Sequence, residues 1–223
     1  MPERQAGVEL GALAVKVQAM GARKLSGVIF DADGVLQHAG TFGTQDWVWS
    51  AQQHRDFVTG FYRWAAPETL ADVGAFVAAC ELALTQAGWP HEAAAYLAKW
   101  SEGHVIPDPA MLEDVRRLRA AGVACYLGSN QDAYWAAHVE TTLGYGDLLD
   151  GLFLSCRLGA AKPQAAFFEA MLAQIPFPRD ELIFFDDKAA NVEAALACGL
   201  EARLFTDRAR YLRDLEELYG LEA

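Results

Sequence analysis

Four aspartates occur as two close pairs, each directly after an apolar segment. Asp31 and Asp33 follow the segment VIF, and Asp186 and Asp187 follow the segment LIFF. An apolar run that ends in charge is typical of a buried parallel strand, and ligands bind at the carboxyl edge of such sheets. Carboxylates brought together repel one another unless a cation joins them, and the hard cation Mg²⁺ prefers oxygen ligands. The two pairs therefore predict a magnesium site.

Two further polar motifs occupy equivalent places along the chain. Ser129 and Asn130 follow a second apolar segment, and Lys162 lies in the loop after a third. A serine after a strand is often only a helix cap, and a lone lysine is usually solvated, so neither indicates a site by itself. Because the carboxyl ends of parallel strands share one edge, we expect the hydroxyl, the ammonium and the carboxylates to meet.

The order of the predicted elements indicates an α/β fold. Five apolar segments are predicted as strands: 28–32, 123–128, 152–155, 182–186 and 202–205. Five segments are predicted as helices: 109–120, 132–143, 164–174, 189–197 and 208–218. Strands that alternate with helices form a parallel sheet through right-handed crossovers. We therefore expect a Rossmann-like parallel sheet sandwiched by helices.

The interval from Leu36 to about Val105 breaks this alternation, because it contains helical patterns and no predicted strand. Three apolar stripes recur there at helical spacing: Phe57, Phe61 and Trp64; Val73, Phe76, Val77, Cys80 and Leu84; and Ala93, Tyr96, Leu97 and Trp100. Such stripes usually form a core, so a small helical unit with its own core is expected. Its position after the first aspartate pair places it over the carboxyl edge as a lid.

These patterns divide the chain into three parts. Residues 1–24 form an N-terminal extension without clear capping signals. Residues 25–36 and 106–223 form the Rossmann-like core domain, and residues 37–105 form an inserted helical cap domain.

Composition excludes several classes of partner. Hydrophobic residues make up 53% of the 223 residues, and the net charge of −12 disfavours binding to nucleic acid and to anionic membranes. No segment approaches the about 18 apolar residues of a membrane span. The start of the chain lacks the pattern of a secretion signal, and the four cysteines form no CxxC pair and are expected as free thiols. A cytoplasmic monomer or homodimer is therefore expected.

Taken together, the motifs resemble those of the haloacid dehalogenase-like hydrolase superfamily. The resemblance covers roughly residues 25–218 and rests on residues 31–35, 129–130, 162–163 and 186–187, with residues 191–199 as a further match. The insert is similar to the helical cap of subfamily I. The resemblance implies a Mg²⁺-dependent phosphatase that acts on a small phosphorylated metabolite, with sugar phosphates ahead of nucleotides.

The resemblance also implies a role for each motif. Asp31 would attack phosphorus and form an aspartyl-phosphate, and Asp33 would act as general acid and then as general base. Ser129, Asn130 and Lys162 would bind the phosphoryl oxygens, where transition-state charge spreads.

The same resemblance implies a set of metal ligands. Mg²⁺ would contact Asp31, the backbone carbonyl of Asp33 and Asp187, while Asp186 would act directly or through water. Asn191 would share the helical face of Asp187 and orient the ligands.

Several alternative functions can be compared with the motifs of this chain. Dehalogenases of the superfamily lack a second aspartate and need no metal, so Asp33 and the pair Asp186 and Asp187 argue against that activity. A phosphonate-cleaving relative needs a cap lysine, for which only Lys99 is available. A phosphomutase would use the same four motifs. A signalling receiver domain places its acidic pair first and has no helical insert, and a non-enzymatic phosphoacceptor or binding protein on this fold also stays open.

Candidate contacts with the substrate in the cap are His54, Arg55, Arg63, Trp47 and Lys99. Each of these side chains is also a plausible surface or packing residue. The sequence therefore predicts the reaction more closely than the substrate.

Overall fold

The computed structural model of the protein describes residues 23–40 and 48–221. Most of the expected N-terminal extension, 1–24, and the candidate Trp47 lie outside these residues. The strands are β1 (Gly27–Phe30), β2 (Gln37–Ala39), β3 (Val105–Pro107), β4 (Ala124–Ser129), β5 (Gly151–Leu154), β6 (Leu182–Asp186) and β7 (Glu201–Leu204). The helices are α1 (Ala51–Trp64), α2 (Pro67–Ala71), α3 (Val73–Gln86), α4 (Ala93–His104), α5 (Pro109–Ala120), α6 (Ala133–Ala137), α7 (Tyr145–Leu148), α8 (Ser155–Leu158), α9 (Ala165–Leu172), α10 (Ala189–Ala197) and α11 (Arg208–Tyr219).

Five strands form a parallel sheet in the order β5-β4-β1-β6-β7. Strand β1 lies at its centre, and all four of its residues are buried. Because the central strands are covered on both faces, they read as continuous apolar runs. The expected Rossmann-like sheet is confirmed, and each of its five strands lies within two residues of its predicted position.

Helices cover both faces of the sheet and form one apolar cluster on each. Val28 and Phe30 of β1 pack into the first cluster, while Ile29 packs into the second. Successive side chains of a strand point to opposite faces, so this division follows from the pleat. The two clusters hold the central strand rigidly, which fixes the position of the residues that follow it.

A two-stranded antiparallel hairpin joins the core to the helical insert. Strand β2 pairs with β3 so that Gln37 lies opposite Pro107, and Ala39 opposite Val105. The expectation of no strand between Leu36 and Val105 was therefore wrong. Three-residue strands are too short to show a period of two, and their pairing partners are far apart in sequence.

The insert contains helices α1 to α4 and an aromatic cluster. Phe61, Tyr96 and Trp100 are buried there, and Trp135 of core helix α6 packs against them, with its ring centroid 4.9 Å from that of Trp100. The aromatic cluster predicted for the insert thus also includes Trp135, which lies outside the insert. Trp64 departs from its predicted stripe, because it is the last residue of α1 and its side chain is 56% exposed.

One predicted helix is interrupted in the structure. The helix predicted over 132–143 is divided into α6 and a π-helical segment, His138–Thr142. All four cysteines are free thiols, as expected. Among residues 23–40 and 48–221, no helix has the length and apolar character that crossing a bilayer requires.

Candidate active site

The carboxyl ends of three neighbouring strands bring the predicted polar residues together. Asp31 directly follows β1, Ser129 ends β4 and Asp186 ends β6, while Lys162 reaches the same place from the loop before α9. All four are at least 95% buried. Because β1 lies between β4 and β6, these side chains meet at the centre of the sheet edge.

Lys162 lies between two buried carboxylates. Its Nζ is 2.9 Å from Oδ1 of Asp31 and 2.6 Å from Oδ2 of Asp186, and it lies 5.2 Å from the centre of the Phe184 ring. A buried charge is tolerated only where it is paired and hydrogen-bonded. The three side chains therefore form one electrostatic unit in which Lys162 is the shared partner of both carboxylates.

Asp186 is saturated with protein donors. Its Oδ1 accepts from the backbone N–H of Lys188 at 2.8 Å, and Asn191 Nδ2 lies 2.9 and 3.0 Å from its two oxygens. Asn191 was expected to orient the ligands from the helical face of Asp187, but its amide contacts Asp186 instead. Because these hydrogen bonds fix the Asp186 carboxylate, it is well placed to hold the Lys162 ammonium in position.

Asp187 differs from Asp186 because its side chain is exposed. Single carboxylate oxygens of Asp31, Asp186 and Asp187 lie within 4.8 Å of one another. Three converging carboxylates with one lysine leave an excess of negative charge that a hard cation can neutralise. The donor set therefore fits Mg²⁺, and Asp187 and Asp31 are better placed than Asp186 to donate a free oxygen.

Gly34 makes room for the Asp187 carboxylate. Its φ is +85°, a conformation that favours glycine, and a β-carbon there would lie 2.6 Å from Oδ2 of Asp187. The sequence Asp33-Gly34 is in addition a common turn signal. The glycine therefore serves both the turn and the site, because the space beside it is occupied by the Asp187 carboxylate.

Asp33 is exposed and lies at the base of the β2–β3 hairpin. Its Oδ1 accepts a hydrogen bond from Gln37 Nε2 at 2.7 Å. Gln37 is 1% exposed, and its Oε1 has no hydrogen-bond partner among the described residues. Sequence reasoning missed Gln37, because the only signal was one polar residue after an apolar pair in a segment without a predicted strand.

Burial controls the protonation of Asp31. It raises the pKa of Asp31 to about 6, although the neighbouring Lys162 ammonium acts in the opposite direction. The nearby Asp186 carboxylate raises the pKa further, and the hydrogen bond from the Ala32 N–H to Oδ1 lowers it. The carboxylate is thus poorly solvated before any cation is bound, which is a state that favours reaction with an electrophile.

Asn130 and Ser129 have different environments. The Asn130 amide exchanges two hydrogen bonds with the backbone of Lys162, one from its Nδ2 to the carbonyl at 2.9 Å and one to its Oδ1 at 2.8 Å. Within the described part of the chain, Ser129 Oγ accepts a single long bond of 3.3 Å, from Gln131 Nε2. Asn130 therefore anchors the loop that carries Lys162, while the Ser129 hydroxyl keeps capacity to contact a ligand.

A cavity of about 780 Å³ adjoins Asp33 between the cap and the core. Tyr62 of α1 lines it and donates a 2.5 Å hydrogen bond to Oδ2 of Asp132, whose pKa is raised by burial. None of His54, Arg55, Arg63 and Lys99 is among the described residues that line this cavity. His54 is buried in the cap, where its Nδ1 lies 2.7 Å from the Tyr96 hydroxyl.

The chain resembles known proteins in sequence and in structure. The family model of haloacid dehalogenase-like hydrolases matches residues 25–199. A sesquiterpene phosphatase of Aspergillus oryzae is 35% identical over 136 residues, which are 61% of this chain and 69% of that protein. A phosphatase of Mycobacterium tuberculosis is 32% identical over 119 residues, which are 53% of this chain and about half, 52%, of that protein.

A solved structure shares the fold at low sequence identity. It is that of a HAD family enzyme from Bacteroides thetaiotaomicron in complex with magnesium and inorganic phosphate. The TM-score is 0.60 at 19% identity, and the match covers 85% of this chain and 100% of that one. The likeness extends over the core and the cap, so it supports the arrangement of elements described above.

Proposed function

Because this chain belongs to the haloacid dehalogenase-like hydrolases, we propose that it is a Mg²⁺-dependent phosphatase that hydrolyses a small phosphomonoester through an aspartyl-phosphate intermediate. The observation that carries the proposal is the buried Asp31 carboxylate, which lies 2.9 Å from Lys162 at the sheet edge with Asp187 beside it. The names of the two phosphatase relatives support the same reaction.

Asp31, Asp187 and the backbone carbonyl of Asp33 are the groups proposed to hold the metal, and Asp186 is proposed to support them through Lys162 and Asn191. When bound, Mg²⁺ neutralises the repulsion between the substrate phosphate and the carboxylates. The magnesium in the related Bacteroides thetaiotaomicron structure supports this choice of ion.

The reaction uses two in-line displacements at phosphorus. An Asp31 oxygen attacks the phosphorus, the bond to the substrate oxygen breaks, and Asp33 donates a proton to the departing alcohol. Asp33 then accepts a proton from water, the water oxygen attacks phosphorus, and the bond to Asp31 breaks to release inorganic phosphate. Lys162 and Ser129 hold the phosphoryl oxygens during both steps.

The cap supports the proposal that the substrate is small, because a lid above the sheet edge excludes a folded protein or a polymer. The preference for sugar phosphates over nucleotides, a monomeric or homodimeric state and a cytoplasmic location stay predictions from the sequence. One relative is named as a sesquiterpene phosphatase and not as a sugar phosphatase.

The decisive experiment is turnover of p-nitrophenyl phosphate with and without Mg²⁺, combined with mass spectrometry of the quenched protein. We expect activity that EDTA removes and Mg²⁺ restores, and a phosphoryl group on the peptide that contains Asp31. Excess Ca²⁺ should inhibit, because its looser coordination misplaces the Asp31 oxygen. Full activity after metal removal, or activity retained by Asp31→Asn, would contradict the proposal.

The same experiment separates the two alternative functions. A phosphomutase would return the phosphoryl group to a second hydroxyl of the substrate and release little inorganic phosphate. A non-enzymatic phosphoacceptor would accumulate the phosphorylated protein without turnover.

A further inference from the structure

In the proposed mechanism Asp33 protonates the leaving oxygen, so the alcohol part of the substrate is expected in the cavity that Asp33 lines. Cap residues form one wall of the cavity, and residues that follow β4 and β5 form the other. Its volume of about 780 Å³ is within the range of pockets that enclose a small organic ligand. The charge and polarity of the residues on these walls therefore indicate which class of substrate alcohol the cavity favours.

The charges on the walls are of one sign. Among the described residues that line the cavity, no lysine, arginine or histidine occurs, and the ionisable carboxyl groups are Asp33, Glu68 and Asp132. The chain as a whole carries a net charge of −12. A substrate with a second phosphate or a carboxylate in its alcohol part would meet repulsion and no counter-ion there.

Apolar residues line the cavity on both the cap side and the core side. Pro67, Leu70 and Ala71 of α2 lie on the cap side, and Trp135 of α6 and the alanines of the segment 160–161 lie on the core side. Contact with such side chains favours hydrocarbon over hydroxyl groups, because it removes apolar surface from water.

Most polar side chains on the walls already have partners within the protein. Asp132 accepts from the Tyr62 hydroxyl, and Asn130 exchanges two hydrogen bonds with the Lys162 backbone. Ser155 Oγ is 3.0 Å from both the N–H and the carbonyl of Gln131. A sugar ring would bring several hydroxyls to a surface that offers few free partners, so it would gain few hydrogen bonds from the protein there.

We propose that the substrate is a phosphate monoester of an uncharged, predominantly apolar alcohol, whose hydrocarbon chain fills the cavity between α2 and Trp135. This inference rests on the proposed phosphatase function and narrows its substrate class. It replaces the preference for sugar phosphates that the sequence predicts.

The test is a comparison of kcat/KM for unbranched alkyl phosphates and sugar phosphates, at concentrations below micelle formation. Across butyl, hexyl, octyl and decyl phosphate, kcat/KM should rise roughly threefold to fourfold for each methylene that is buried, until the cavity is filled. Hexyl phosphate should exceed glucose 6-phosphate at least tenfold, although both carry six carbons and a primary leaving oxygen. No rise with chain length, or an equal or better rate with glucose 6-phosphate, would overturn the inference.

A charged residue in the wall should reverse the selectivity. Ala71→Arg introduces a cation into the apolar wall, and it should lower the ratio of kcat/KM for octyl phosphate to that for fructose 1,6-bisphosphate at least tenfold. Ala78→Arg is the matched control, because Ala78 is an exposed residue of cap helix α3 that does not line the cavity. An equal change of this ratio in both variants would contradict the role of the wall.

Failure of the inference and failure of the phosphatase function can be told apart. Hydrolysis of p-nitrophenyl phosphate without a dependence on chain length would leave the phosphatase and reject the apolar alcohol. Alkylphosphonates, which are not hydrolysed, provide a second measurement that does not need turnover. Calorimetry with Mg²⁺ should give tighter binding of octylphosphonate than of butylphosphonate, and equal affinities would reject the inference even in an inactive protein.

Discussion

Gly34 lies directly against the carboxylate of Asp187, so closely that a β-carbon at position 34 would be 2.6 Å from Oδ2. This contact joins the turn after the proposed nucleophile to the carboxylate proposed to bind metal. A side chain at position 34 would have to displace that carboxylate. The metal dependence of the protein should therefore be sensitive to a residue that has no ligand atom in its side chain.

Gly34→Ala is expected to raise the Mg²⁺ concentration for half-maximal activity at least tenfold, since the new methyl group displaces Asp187. It should also destabilise the fold by about 1 kcal/mol, because its φ of +85° is unfavourable for alanine. Gly122→Ala is a matched control, with a φ of +83° and no atom within 4 Å of the added carbon. Equal Mg²⁺ dependence of the two variants in an activity titration would refute the steric explanation.

Asp31→Asn is expected to abolish turnover and to stabilise the metal-free protein at pH 7 by about 1–3 kcal/mol. Burial raises the pKa of Asp31 to about 6 in the folded state, above its ordinary value of 3.8. The folded state thus binds this proton more tightly, so its stabilising effect is present below about pH 4 and is lost as the pH rises through about 6. The difference in Tm between wild type and variant, measured in EDTA from pH 4 to 7, should grow over that interval. A difference that is constant with pH would show that Asp31 does not titrate there.

Lys162→Ala is expected to lower kcat/KM by about 10²–10³-fold, the range for losing a fixed charge-stabilising group. It should also cost about 3–5 kcal/mol of stability without metal, because Asp31 and Asp186 lose their shared buried partner. Lys188→Ala is the control, since that exposed lysine contacts Asp186 through its backbone N–H. Steady-state rates measure the loss of kcat/KM, and urea unfolding measures the loss of stability. A loss of kcat/KM below threefold for Lys162→Ala would mean that Lys162 does not contact the phosphoryl group.

Gln37→Leu is expected to reduce the hydrolysis of alkyl phosphates at least tenfold more than that of p-nitrophenyl phosphate. The substitution removes the hydrogen bond that orients Asp33, and proton donation matters most for a poor leaving group. It also removes the buried Oε1 that has no partner among the described residues, so a loss of stability would not account for the result. His38→Ala on the same hairpin, where the exposed ring contacts Asp108, should change neither rate. Equal losses for both leaving groups would indicate a structural role for Gln37.

The core and the motif residues were predictable because their signals are local. Buried parallel strands such as β1 and β6 are continuous apolar runs. The residues that follow them reach one sheet edge regardless of the conformation of the connecting loops. The positions of Asp31, Lys162 and Asp186 therefore followed from the order of strands and motifs.

The parts that escaped prediction depend on pairing between distant residues. Gln37 lies opposite Pro107, and Tyr62 bonds to Asp132, both 70 residues apart in sequence. The cap candidates were chosen by charge, but Arg55 is exposed and its guanidinium contacts Gln52 on its own helix instead of a ligand space. Apolar residues that line a cavity are hard to distinguish in sequence from residues that fill a core.

The hairpin of β2 and β3 has a consequence for how such a protein can be modified. Because Ala39 pairs with Val105, the chain leaves and re-enters the core at adjacent points, and the segment between them, which includes helices α1 to α4, forms a cassette with neighbouring ends. Grafting a different cassette between these two strands would leave the register of the parallel sheet and the sheet-edge carboxylates in place. Substrate range can thus be changed by recombination at this hairpin, provided that the new cassette also covers Trp135, which packs against the present one.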